Sequence, residues 1–159
     1  MTDQDANITR TVALMWFDAV ARGDGEAAAK CLAGNVEWIN YTKVPGYNDI
    51  MPWIGTYHGR DAVIQSFGVF LSLVDVKQET LVRLIVDGED AIGIVHEIST
   101  VKETGKDFEI EFVQWLTVRN REIVRWKSYT DPSSIISAMK VWPRFMAAEI
   151  LDPAFSIDS

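Results

Sequence analysis

The chain has 159 residues, a formal net charge of −8 and a pI near 4.7, and with no Lys/Arg stripe this excludes a site built on nucleic-acid phosphates. Apolar residues at 48% and charged residues at 24% match ordinary globular usage, which excludes a disordered chain and a coiled coil. The single Cys31 makes no internal disulfide, and no apolar run has the length of a membrane span or follows a charged leader, so a cytoplasmic protein with no membrane partner is expected.

Residues 1–7 are polar and expected to fray. From Ile8, the apolar positions Val12, Met15, Trp16, Ala19 and Val20 recur at threes and fours, predicting an amphipathic helix that ends near Gly23. A second helix is expected over 26–32, closed by Gly34, followed by a first strand over 36–41. Residues 42–57 hold Pro45-Gly46, Asn48-Asp49 and Pro52, the punctuation of a long loop, made unusually apolar by Trp53, Ile54 and Tyr57. Val63, Ile64, Phe67, Phe70 and Leu71 then mark a third helix over 60–73. Strands follow over 76–86 and 90–101, joined at Asp87-Gly88-Glu89. The next turn spans 102–106 and leads into the most strongly patterned stretch, a hairpin of 107–118 and 122–130 linked by Arg119-Asn120-Arg121. After it, Thr130 or Asp131 caps a helix reaching about Met139, with Pro132 in its first turn, and a weaker helical stretch is expected over 145–151. With no repeat, low-complexity tract or composition shift, a single domain over 1–159 is expected, its core over about 8–140 and a C-terminal extension over 141–159.

Parity in the hairpin divides its side chains. Ile110, Phe112, Gln114 and Leu116 share one face of the first strand; Glu109, Glu111, Val113, Trp115 and Thr117 share the other. On the second strand Val124, Trp126, Ser128 and Thr130 oppose Ile123, Arg125, Lys127 and Tyr129. Both faces carry large apolar groups, so one face is expected to lie under helices and the other against a second copy of the chain, giving a homodimer through the convex face of the sheet.

Helix, helix, strand, loop, helix and then long antiparallel strands is an α+β order. Together with Pro52-Trp-Ile-Gly-Thr-Tyr-His-Gly-Arg-Asp-Ala-Val63, Thr104-Gly105 and Ile123-Val-Arg-Trp-Lys-Ser-Tyr-Thr-Asp131, it resembles the SnoaL-like and ketosteroid-isomerase-like branch of the NTF2-like superfamily. The resemblance implies a cone-shaped, cystatin-like fold in which a curved antiparallel sheet wraps around three helices, with a ligand cavity between helices and sheet. It implies no function by itself, because the superfamily includes isomerases, cyclases, epoxide hydrolases, dehydratases and non-catalytic proteins.

Carried over position by position, the resemblance departs from its catalytic members. Where the isomerases keep a helix-borne tyrosine this chain has Trp16, and Trp38 follows Val36-Glu37 where they keep the general-base aspartate. Gln114 falls near their second acid and retains an amide donor for an oxygen on which charge develops. Of the set used by the limonene epoxide hydrolases, Asn40 and an acid at Glu97 remain, whereas Trp38, Val95 and Ser128 replace the tyrosine, the arginine and the second aspartate. The Trp-Asp pair of the polyketide cyclases becomes Trp126-Lys127-Ser128.

The register implied by the resemblance aims Val95, Glu97 and Ser99 into the cone, so Glu97 is the candidate base, with Gln114 and Asn40 as hydrogen-bonding partners of a substrate oxygen. Trp16, Trp38, Trp53, Tyr57, His58, Phe112, Trp126 and Ser128 are the candidate substrate contacts. His96, of opposite parity, is expected on the convex face. Two histidines and one cysteine, with no His-x-x-x-His and no cysteine pair, give no metal set, and no cofactor is expected. Two functions of different class stand open: a small enzyme moving protons on an apolar metabolite, of isomerase, cyclase or dehydratase type, and a non-catalytic domain that holds a hydrophobic ligand or a partner.

Overall fold

The structure is a computed structural model and describes residues 3–141. Helix α1 (Asp3–Ala21) begins five residues before the first strongly apolar position and includes most of the segment expected to fray. Its buried face, Thr9, Val12, Ala13, Trp16, Phe17 and Ala19, follows the predicted spacing. Thr9 fixes the far end by donating from its hydroxyl to the Gly88 carbonyl at 2.7 Å. The helix closes at Gly23, whose φ of 67° lets the Gly23 and Asp24 amides turn back onto Val20 and Ala19. The Asp24 carboxylate then accepts from the Ala27 amide at 3.0 Å and starts α2 (Gly25–Lys30).

The first strand, β1 (Leu32–Asn40), starts earlier than expected and takes in Gly34. Gly34 lies in a register shift between Leu32 and Glu37, where a strand tolerates the missing side chain. The apolar loop also yields a short strand, β2 (Gly55–His58), which pairs antiparallel with β1 and leads into α3 (Arg60–Leu73). Strands β3 (Val74–Asp87), β4 (Asp90–Val101), β5 (Asp107–Arg119) and β6 (Glu122–Tyr129) follow, then α4 (Ser133–Met139), begun where Asp131 accepts from the Ser133 amide. The hairpin link shortens to Asn120-Arg121, with φ of 50° and 63°, the left-handed pair that a tight two-residue turn requires. The stretch 145–151 lies outside the described residues.

The sheet runs β2-β1-β6-β5-β4-β3 and is antiparallel apart from the β1–β6 contact. One face packs under α1 and α3, burying Leu32, Val36, Trp38, Val95, Leu116 and Trp126 with the inner face of α1. A second cluster, built on Met51, Trp53, Ile54, Val74, Phe108 and Ile135, closes the other end. Gly93 permits the closest approach of helix to sheet: a Cβ there would stand 2.1 Å from Phe17 Cζ. Among the described residues, no helix is long and apolar enough to cross a membrane.

Candidate functional site

Between α1, α3 and the inner face of the sheet lies a cavity of about 380 Å³, within the usual size of small-molecule sites. Its two ends are built differently.

At one end the paired positions Gln114↔Ser128 and Trp38↔Trp126 bring the polar and indole groups of β1, β5 and β6 together. The Trp38 and Trp126 rings stack with centroids 3.6 Å apart and planes 1° off parallel, and Trp16 and Phe67 meet Trp38 edge-on. Gln114, 3% exposed, accepts on Oε1 from Trp16 Nε1 at 2.9 Å and from Trp126 Nε1 at 2.8 Å. Because an indole nitrogen only donates, these bonds fix which way round the amide lies and leave its NH2 group without a partner among the described residues. Ser128 Oγ donates to Asn40 Oδ1 at 3.0 Å. The buried Trp38 Nε1 has no hydrogen-bond partner among the described residues.

At the other end two carboxylates face each other. Glu97 on β4 pairs in register with Glu79 on β3, and both line the cavity. Glu97 is 6% exposed, and its one hydrogen-bond donor among the described residues is the Ser99 hydroxyl, at 2.5 Å. Burial raises the Glu97 pKa, and the Ser99 hydrogen bond opposes the rise. Glu79, partly buried, holds its proton up to about 8, first because of burial and then because of the Glu97 charge. Among the described residues no basic group pairs with either acid. Tyr41, which also lines the cavity, has its phenol pKa pushed up by burial and then by the charges of Glu97 and Asp131. Its φ of 59° is an uncommon conformation for a bulky aromatic residue.

Asn40, Gln114, Trp16, Trp38, Trp53, Phe112, Trp126, Ser128 and Glu97 all line this cavity. Tyr57 and His58 do not. Tyr57 packs into the core and donates its hydroxyl to the Trp53 and Ile54 carbonyls, and His58 is exposed beside Gly34 and Arg60. Their placement follows from β2, which edges the sheet beyond β1. The structure also separates residues that the sequence reading grouped. Gln114 lies four residues along β5 from Ile110, the partner of Glu97, roughly 13 Å of strand, so the amide and the acid serve different ends. His96 lies on the outer face with its Nε2 2.6 Å from Glu109 Oε1.

Glu79 and Tyr41 are additions that sequence reasoning missed. Strict alternation from Val76 points Gln78, not Glu79, inward. A register shift between Val76 and Gln78 inserts Lys77 as an extra residue and reverses the parity. Tyr41 lies one residue past the end of β1, in a conformation that no strand pattern foretells.

A mixed six-stranded sheet folded over helices around an aromatic cavity defines the NTF2-like, α+β class. Within it, the chain belongs to the SnoaL-like domain family, whose model matches residues 13–126. It is similar to an NTF2-like protein from Burkholderia thailandensis, at 25% identity and a TM-score of 0.73 over 84% of this chain and 98% of that one. An NTF2-like protein of unknown function from Burkholderia pseudomallei gives 19% identity and a TM-score of 0.74, over 84% and 98% of the two chains. A protein with a ketosteroid-isomerase-like fold from Catenulispora acidiphila, solved in complex with trimethylamine, gives 16% and 0.66, over 83% and 97%. Similarity at these last two levels bears on the fold alone. No curated protein matches the chain.

Proposed function

We propose that this SnoaL-like domain is a cofactor-independent enzyme that moves a proton on an apolar metabolite, with Glu97 as base and Glu79 as acid. The observation carrying this reading is the Glu79–Glu97 pair itself: two carboxylates on one cavity wall, with no basic partner among the described residues. Two such groups cannot both ionise cheaply, so the pair keeps one proton near neutral pH. The Ser99 hydroxyl favours the charged form of Glu97, leaving the proton on Glu79. A base and an acid side by side can take a proton from one atom and return it to another, which serves isomerisation, ring closure and dehydration alike. The far end, with Trp38 stacked on Trp126 and the Gln114 amide free to donate, then holds the body of the substrate and an oxygen on it.

Incubating the protein in D2O with a panel of apolar carbonyl compounds, with and without an amine, tests this reading. Deuterium uptake next to the carbonyl that falls at least about 100-fold in Glu97→Gln is expected. Ligands that bind in the cavity without any uptake would instead favour the non-catalytic hydrophobic-ligand domain. That second reading is supported by Trp38, Val95 and Ser128, which occupy positions where related enzymes keep polar groups.

We also propose that the outer face of the sheet joins two copies of the chain. Ile92, Ile94, Val113 and Trp115 are half-buried there beside exposed Tyr129. Light scattering on a sizing column should give twice the mass of the chain.

A further inference from the structure

The acid end of the cavity is short of positive charge, and this narrows the ligand. We infer that the molecule bound here is an apolar amine, seated with its ammonium group between Glu79 and Glu97. The inference rests on the reading of the cavity as a small-molecule site and specifies the class of molecule that enters it.

Charge balance comes first. A buried carboxylate pair is expensive unless a cation or a proton offsets it. Among the described residues lining the cavity the one basic side chain is Arg22, at the α1–α2 turn, and it is held outside by Asp18 at 2.9 Å and Asp24 at 3.3 Å. The described residues therefore supply the two acids and leave the counter-charge to be brought in. The walls point the same way. Tyr41, Trp53, Phe70 and Phe108 line this end of the cavity, and aromatic faces attract cations most strongly where water is excluded. An anionic ligand would meet repulsion from both acids, and a neutral one would leave the pair as it stands.

A separate observation shows that the cavity is shaped for an occupant. Gln114 is 3% exposed, and its oxygen is saturated by two indole donors. The amide NH2 is thus a donor on the cavity wall with no partner among the described residues, available to an acceptor on a ligand. The two ends together describe a ligand with an ammonium group on one side, an apolar middle and a carbonyl, ether or hydroxyl oxygen on the other. When the ammonium enters, it replaces the shared proton. One carboxylate pairs with it, and the other, left as the anion, can take a proton from the ligand and return it.

The test uses the full chain and three probes of one shape: benzyltrimethylammonium, its uncharged carbon analogue neopentylbenzene, and the anion phenylacetate. Binding is followed by tryptophan fluorescence in the wild type and in the Glu79→Gln/Glu97→Gln double variant. The ammonium probe is expected to bind at least about tenfold more tightly than the neutral one, with phenylacetate weakest, and the double variant should lose that preference while still binding neopentylbenzene. Equal affinity for the charged and neutral probes would overturn the amine assignment and leave the small-molecule cavity standing. Ammonium binding unchanged in the double variant would also overturn it, because the cation would then sit elsewhere on the acidic surface. If none of the probes binds either protein, both the amine assignment and the cavity reading fall.

Discussion

The two ends of the cavity differ in how fully their polar groups are partnered. Around Gln114 each contact supports another: two indoles donate to one amide oxygen, Ser128 donates to Asn40, and Trp38 lies flat on Trp126. Around Glu97 the protein offers one serine hydroxyl and a second acid. The hydrogen bonds among these groups fix the shape of the tryptophan end, although Trp38 Nε1 and the Gln114 NH2 find no partner among the described residues, whereas two acids in one wall with no basic partner among those residues store proton affinity. In the proposed function, the tryptophan end sets shape and the glutamate end carries the chemistry.

Substitutions at the two ends should therefore fail in different ways. Glu97→Gln should show the largest effect, a loss of about 100- to 10,000-fold in proton exchange with the fold intact, read by deuterium uptake alongside circular dichroism. Gln114→Leu should do the reverse in kind. It strands the Trp16 and Trp126 indole donors, so denaturant titration should show a loss of about 2–5 kcal/mol and a fall in Tm of roughly 5–15 °C. If Gln114→Leu is instead stable and inactive, the division between the ends is wrong.

A smaller loss, about 1–3 kcal/mol, is expected for Gly93→Ala, since its Cβ must displace the Phe17 ring that presses α1 onto the sheet. The smallest effect is a pH dependence. Glu79 releases its proton near its ordinary 4.5 when unfolded but at about 8 when folded. Its protonated form thus favours the native state most at low pH, and that advantage is lost as pH rises from about 4.5 to about 8. Glu79→Gln should be close to neutral at pH 5 and raise Tm by a few degrees at pH 8, and it should remove the high-pH fall from any bell-shaped rate profile.

Most of the architecture could be read from the chain because β4 and the facing stretch of β5 pair without a register shift. Parity alone places Ile110, Phe112 and Gln114 inward and Val113 and Trp115 outward. Glu97 follows from the register of an otherwise apolar strand. The pattern fails where the backbone departs from period two. The extra residue at Lys77 hides Glu79, and the left-handed turn at Tyr41 hides the phenol. Contact with β1 makes β2 a strand although its residues look like loop, because edge pairing depends on a partner distant in sequence. The reach between Gln114 and Glu97 is equally invisible from residue types, which show two polar groups facing one cavity but not the length of strand between them.

Because everything at the glutamate end rests on one shared proton, the most direct test is a carbon-13 NMR titration of the Glu79 and Glu97 side-chain carboxyls from pH 3 to pH 10. One carboxyl should stay protonated until about pH 8, and the two resonances should move together because each feels the other's charge. In Glu97→Gln the Glu79 step should move to lower pH, since the neighbouring charge is gone. Two independent steps near pH 4.5, unchanged by that substitution, would contradict the account.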